Sequence, residues 1–136
     1  MMVPGLSARP LDHVAIAVHS LDDYSRHFEL LSGEDCSPPE ILEAQGVRVA
    51  FVGTIELLEP LGPNTTVARF LERRGPGLHH IAYRCEDIVA DLERLREAGV
   101  ELIDEIPRDG ARGHRVAFIH PRAVGGILVE LVQHDD

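Results

Sequence analysis

The sequence predicts an α+β fold of two tandem βαβββ modules, because part of it repeats and each copy has the same order of apolar patterns. Residues 11–15 (LDHVA) match residues 78–82 (LHHIA) at an offset of 67 positions. The same offset aligns residues 45–52 with residues 112–119. Two separate matches at one offset indicate a duplicated unit.

Each copy is predicted to open with a strand that is followed by a helix. The strands cover residues 13–18 and 80–85. Ser20 is placed to cap the first helix and Asp87 the second, since short oxygen-bearing side chains accept from the first helical N–H groups. Helical spacing gives two apolar stripes, which consist of Tyr24, Phe28 and Leu31 in the first helix and Ile88, Leu92, Leu95 and Ala98 in the second.

Short strands complete each copy, with proline and glycine marking the turns between them. The predicted strands are 48–52 and 54–58 in the first copy, and 115–119 and 127–132 in the second. We expect a third strand at 100–103 in the second copy, with a weaker counterpart near 34–41 in the first.

One module alone is too small to bury its sheet well, so the two copies should pair into a curved mixed sheet with a concave inner face. The modules span about 9–64 and 77–134 and are joined by a linking helix at 65–74. Together they form a single domain over residues 1–136.

The amino-acid composition disfavours several classes of binding partner, chemistry and location. Asp and Glu number 23 against 13 basic residues, a net charge of −10, which disfavours a polyanion such as nucleic acid. All the basic residues are arginine, which excludes a lysine Schiff base. No apolar run has the length of a membrane span, and the N-terminus does not resemble a signal peptide. With only Cys36 and Cys85, we expect a cytoplasmic protein with reduced thiols.

Strand alternation brings a histidine and a glutamate of each copy to one face. His13 and His80 each share a strand face with small alanines. Glu56 and Glu130 interrupt otherwise apolar strands, where a lone buried carboxylate is costly. The repeat matches the two histidines and the two glutamates, so a pseudo-twofold axis would bring all four together. Two nitrogen and two oxygen donors suit a divalent metal ion in an octahedral field, with two positions left open.

Two neighbouring residues are excluded from this predicted metal site by the same alternation. Cys85 alternates to the face opposite His80, which argues against a thiolate zinc site. His79 also points away from the His80 face, and we expect it to be structural.

The repeat and its motifs resemble the vicinal oxygen chelate superfamily, and within it the methylmalonyl-CoA epimerases. The similarity extends from about residue 11 to residue 133. It rests on residues 11–18 (LDHVAIAV), 55–60 (IELLEP), 77–82 (GLHHIA), 120–121 (HP) and 125–131 (GGILVEL). The resemblance implies a glyoxalase-like fold and the same four metal ligands, His13, Glu56, His80 and Glu130.

The resemblance also implies one divalent metal ion per chain, with Co²⁺ favoured and Mn²⁺, Ni²⁺, Mg²⁺ or Zn²⁺ as alternatives. It implies a homodimer that acts on a small acyl-CoA substrate in propionate metabolism. The expected reaction interconverts (R)- and (S)-methylmalonyl-CoA by removing and returning the C2 proton, with the ion stabilising the enolate.

Two alternatives remain for the catalytic base. Bacterial members of the family have a glutamate base in the strand after a Gln-Gly-Val turn, whereas residues 45–49 here (QGVRV) contain no carboxylate. Glu43, just before the turn, is one candidate. A ligand carboxylate, Glu56 or Glu130, that leaves the ion and acts as base is the other.

Three other functions are compatible with parts of the pattern. A glyoxalase I-type isomerase (lactoylglutathione lyase) uses the same ligands, but its glutathione recognition needs insertions not seen here. An extradiol dioxygenase needs only two histidines and one glutamate. A non-catalytic, small-molecule-binding resistance-type protein keeps the fold without the ligands, all four of which are present here.

Overall fold

The computed structural model describes Val3, Gly5 and residues 7–135. The N-terminal segment in which no signal peptide is expected lies partly outside these residues. The helices and strands are β1 (Leu11–Ala17), α1 (Leu21–Ser32), β2 (Glu40–Leu42), β3 (Val47–Val52), β4 (Ile55–Pro60), α2 (Thr66–Arg74), β5 (Gly77–Arg84), α3 (Ile88–Glu97), β6 (Arg108–Asp109), β7 (Arg115–Ile119) and β8 (Val129–Gln133).

The chain divides into two compact units, and the first covers His13–His79. Its strands lie in the order β2-β3-β4-β1, with β1 parallel to β4 and the other pairs antiparallel. Helix α1 covers one face of this sheet. The core between them consists of Val18, Leu21, Ala50, Val52 and Leu57, with Tyr24 and Phe28 packed against it.

Helix α1 begins and ends where the sequence predicts. The Asp23 N–H donates to the Ser20 side chain at 3.2 Å, and the chain leaves the helix through Gly33 in the left-handed region, at φ 77°. The predicted apolar stripe is only partly correct, because Leu31 is 81% exposed. The last turn of α1 therefore extends beyond the sheet that its first turns cover.

The second unit covers residues 1–12 and 80–136 and repeats the same plan. Its strands lie in the order β5-β8-β7-β6, with β5 parallel to β8. Helix α3, capped by Asp87, covers one face. The core beneath it consists of Cys85, Ile88, Leu92, Ala117, Ile119, Val129 and Leu131. The N-terminal segment joins this unit, since the Arg84 N–H donates to the Pro10 carbonyl at 2.9 Å.

The predicted strand at 100–103 is wrong. Only an isolated bridge between Leu102 and Ile119 forms there, and the outer strand is the later β6. The Asp104 carboxylate accepts the Phe118 N–H at 2.9 Å, and the Phe118 carbonyl accepts from Ile103 and Asp104. These bonds satisfy the β7 backbone around Phe118 without a continuous ladder.

Among the described residues, no helix combines the length and the apolar character needed to cross a bilayer.

Both thiols are expected to react slowly. Burial raises the pKa of Cys85 to about 11, with a further contribution from the Asp91 charge. Burial and the Glu29 charge also raise the pKa of Cys36. At pH 8 only about one Cys85 in a thousand is thiolate. We predict that iodoacetamide at pH 8 labels half-buried Cys36 slowly and leaves Cys85 unmodified until urea unfolds the chain. Mass spectrometry of the digested protein checks this, and equal labelling of both cysteines in the native state would contradict it.

Candidate metal centre

The first unit buries a histidine–glutamate pair between two parallel strands. His13 lies on β1 and Glu56 on β4, and the register places Ala15 beside Glu56. The His13 Nε2 atom is 3.2 Å from Glu56 Oε1. Both residues are 6% exposed. The next residue on β4, Leu57, packs under α1, so Glu56 points to the face that α1 leaves uncovered.

The second unit buries the equivalent pair. His80 lies on β5 and Glu130 on β8, with Ala82 beside Glu130 in the register. The His80 Nε2 atom is 3.6 Å from Glu130 Oε1, and the two residues are 4% and 5% exposed. Leu131 packs under α3, so Glu130 faces away from that helix. The duplicated sequence thus yields the same buried pair twice.

A phenylalanine contacts the imidazole edge-to-face in each unit, a feature that the sequence interpretation missed. The rings of His13 and Phe51 have centroids 5.6 Å apart at 89°, and those of His80 and Phe118 are 5.1 Å apart at 88°. Each phenylalanine also lies directly opposite the paired glutamate in the register. Phe51 and Phe118 are separated by the same 67 positions as the histidines, so the repeat already contained the signal. These contacts hold each ring in place beside its carboxylate.

The geometry of each pair fits two neighbouring ligands of one ion. Two donor atoms about 2.1 Å from an octahedral ion and at right angles to each other are about 3 Å apart. The 3.2 Å and 3.6 Å separations are close to this value. Imidazole nitrogen and carboxylate oxygen are donors that first-row divalent ions accept. A bound cation would also stabilise the buried carboxylate, because burial removes the water that otherwise solvates its charge.

The other predicted residues lie elsewhere. Glu43 is exposed, in a one-turn 3₁₀ helix at Glu43–Gln45. Cys85 lies in the core under α3, on the face opposite His80, as the alternation predicted. His79 packs against the Phe70 ring of α2, with centroids 5.0 Å apart, which agrees with a structural role.

Comparison with known proteins identifies the family. The sequence profile of the Glyoxalase/Bleomycin resistance protein/Dioxygenase superfamily matches residues 12–118. The ethylmalonyl-CoA/methylmalonyl-CoA epimerase of Cereibacter sphaeroides is 41% identical over 129 residues, which cover 90% of this chain and 96% of that one. The chain belongs to the methylmalonyl-CoA epimerase family.

Solved structures of this epimerase family have the same fold. The crystal structure of methylmalonyl-CoA epimerase from Mycobacterium tuberculosis is 37% identical in sequence and superimposes with a TM-score of 0.91. The alignment covers 100% of this chain and 94% of that one. A methylmalonyl-CoA epimerase in complex with methylmalonyl-CoA and NH4+ is 34% identical, with a TM-score of 0.89 over 95% of this chain and 96% of that one. The predicted α+β, glyoxalase-like fold class and family are therefore confirmed.

Proposed function

We propose that this protein is an isomerase that interconverts (R)- and (S)-methylmalonyl-CoA. The single observation that carries the proposal is the buried histidine–glutamate pair present in each unit of a chain of the methylmalonyl-CoA epimerase family. A relative of 34% identity is known in complex with methylmalonyl-CoA, which supports an acyl-CoA substrate.

His13, Glu56, His80 and Glu130 would hold one divalent metal ion between them. The pairs are related by the sequence repeat, and one octahedral ion takes all four donors with two positions to spare. When bound, the ion supplies Lewis-acid stabilisation of the negative charge that develops on the thioester oxygen. From the resemblance to the epimerase family we expect Co²⁺, with Mn²⁺, Ni²⁺, Mg²⁺ and Zn²⁺ as alternatives.

Side chains of the protein would transfer the protons and keep water away from the buried donors. Epimerisation needs a base that takes the C2 proton on one face and an acid that returns a proton on the other. For the base, the sequence offers Glu43 or a ligand carboxylate, Glu56 or Glu130. Phe51 and Phe118 pack against the imidazoles and help to exclude water from the buried donors. A cytoplasmic homodimer remains the expected form of the protein.

Proton exchange at C2 tests the function. We expect the Co²⁺-loaded protein in heavy water to introduce deuterium at C2 of methylmalonyl-CoA and to convert either enantiomer into the mixture. Protein treated with a chelator should do neither. Mass spectrometry and NMR follow the label. A metal-loaded protein that exchanges no proton in methylmalonyl-CoA but isomerises the hemithioacetal of methylglyoxal and glutathione would instead be a glyoxalase I-type isomerase.

A further inference from the structure

The register of the first unit identifies another carboxylate on the sheet face that carries Glu56. Phe51 of β3 lies opposite Glu56, and Val49, two residues earlier on β3, lies opposite Leu58. On the next strand, Glu40 of β2 lies directly opposite Val49. Directly opposed residues of antiparallel strands project to the same face, so Glu40 shares a face with Glu56.

Burial agrees with this orientation. Along β2, Glu40 is half-buried whereas the next residue, Ile41, is 59% exposed. On β3, Ala50 and Val52 pack under α1, so Val49 and Phe51 alternate to the other face. Glu40 therefore lies at the rim of the face that α1 leaves uncovered.

Two apolar side chains separate the two carboxylates on this face. Glu56 and Val49 are diagonal neighbours on adjacent strands, which places their backbones about 7–8 Å apart. Val49 and Glu40 are directly opposed, with Cβ atoms about 5 Å apart. These side chains, Val49 and Leu58, are almost fully buried, at 1% and 5% exposed. For an acyl group held at the His13–Glu56 pair, Glu40 is therefore the next carboxylate on this face in the direction of β2.

We propose that Glu40 is a catalytic residue, the general base that removes the C2 proton from one enantiomer of the acyl-CoA substrate. This assignment rests on the proposed function. The C2–H bond breaks, its proton forms an O–H bond with the Glu40 carboxylate, and the electron pair is delocalised into the thioester as an enolate. A proton delivered to the opposite face then gives the other enantiomer. In the reverse direction, protonated Glu40 returns its proton to C2.

Glu72 supplies a matched control for Glu40. It is an exposed glutamate on helix α2. We expect Glu40→Gln to lower kcat for epimerisation at least about 100-fold in both directions, the usual loss on removing a general base. KM and the amount of Co²⁺ retained should stay within about threefold of the wild-type values. Glu72→Gln should behave like the wild type.

Deuterium exchange in each enantiomer separates a base from a structural residue. In Glu40→Gln, one enantiomer should lose exchange at C2 while the other still exchanges through the group on the opposite face. Circular dichroism checks that the variant is folded. Epimerisation by Glu40→Gln at the wild-type rate, or a loss seen only in Glu43→Gln, the competing candidate for the base, would overturn the assignment. If the wild-type protein itself exchanges neither enantiomer, the proposed function fails first and the assignment fails with it.

Discussion

Replacing either His13 or His80 with alanine is expected to abolish retention of the metal ion. Each histidine belongs to a different unit, and each lies beside its own glutamate at 3.2 Å or 3.6 Å. If one ion takes ligands from both pairs, losing either imidazole removes a quarter of its protein ligands. We expect affinity for Co²⁺ to fall at least about 100-fold in each variant, since even partners that only orient a ligand contribute up to about that much.

His79→Ala is the matched control for the His80 variant. His79 neighbours His80 in sequence but packs against Phe70. It should keep one Co²⁺ per chain, as measured by elemental analysis after gel filtration. Two independent sites would give a different pattern, in which His13→Ala and His80→Ala each lose half of the metal. That result, or unchanged metal content in either variant, would contradict the shared ion.

Leu92→Ala is expected to have the largest effect on stability. Leu92 is 2% exposed and lies in the core under α3 with Ile88 and Leu131. Truncating a buried leucine removes apolar contacts and leaves a cavity, at a cost of about 2–5 kcal/mol of unfolding free energy. Urea unfolding followed by circular dichroism measures this loss.

Val89 provides the comparison on the same helix. It directly follows Ile88 but is 52% exposed. Val89→Ala should change the unfolding free energy by less than about 0.5 kcal/mol, because alanine suits a helix and little burial is lost. Equal effects of Leu92→Ala and Val89→Ala would mean that α3 does not bury the predicted face.

The sequence predicts those parts of the fold that have a clear period or a repeat. The first strand of each unit places its histidine and its alanines on one face, and Ser20 and Asp87 cap their helices as expected. The prediction of a strand at 100–103 is wrong because the Asp104 carboxylate, and not a neighbouring strand, accepts the Phe118 N–H. A hydrophobic period in the sequence does not indicate such a side-chain hydrogen bond.

In the candidate site, too, sequence patterns predict some features and only the structure shows the others. Alternation and the repeat, which a sequence displays, direct His13 and Glu56 to one site, whereas the strand register and the 3.2 Å contact between them come from the structure. Glu40 lies on a three-residue strand, which is too short to show a period, so its face emerges only from the pairing of β2 with β3. Phe51 and Phe118 follow the repeat offset, but nothing in their spacing indicates an edge-to-face contact with histidine.

The central claim is that one ion, bound by the two histidine–glutamate pairs, enables epimerisation. The most direct test titrates metal-stripped protein with Co²⁺ and measures bound metal and the rate of methylmalonyl-CoA epimerisation in the same samples. The account predicts that both rise together and reach their plateau at one ion per chain. Epimerisation at full rate in the presence of excess chelator, or complete metal occupancy without epimerisation, would contradict it.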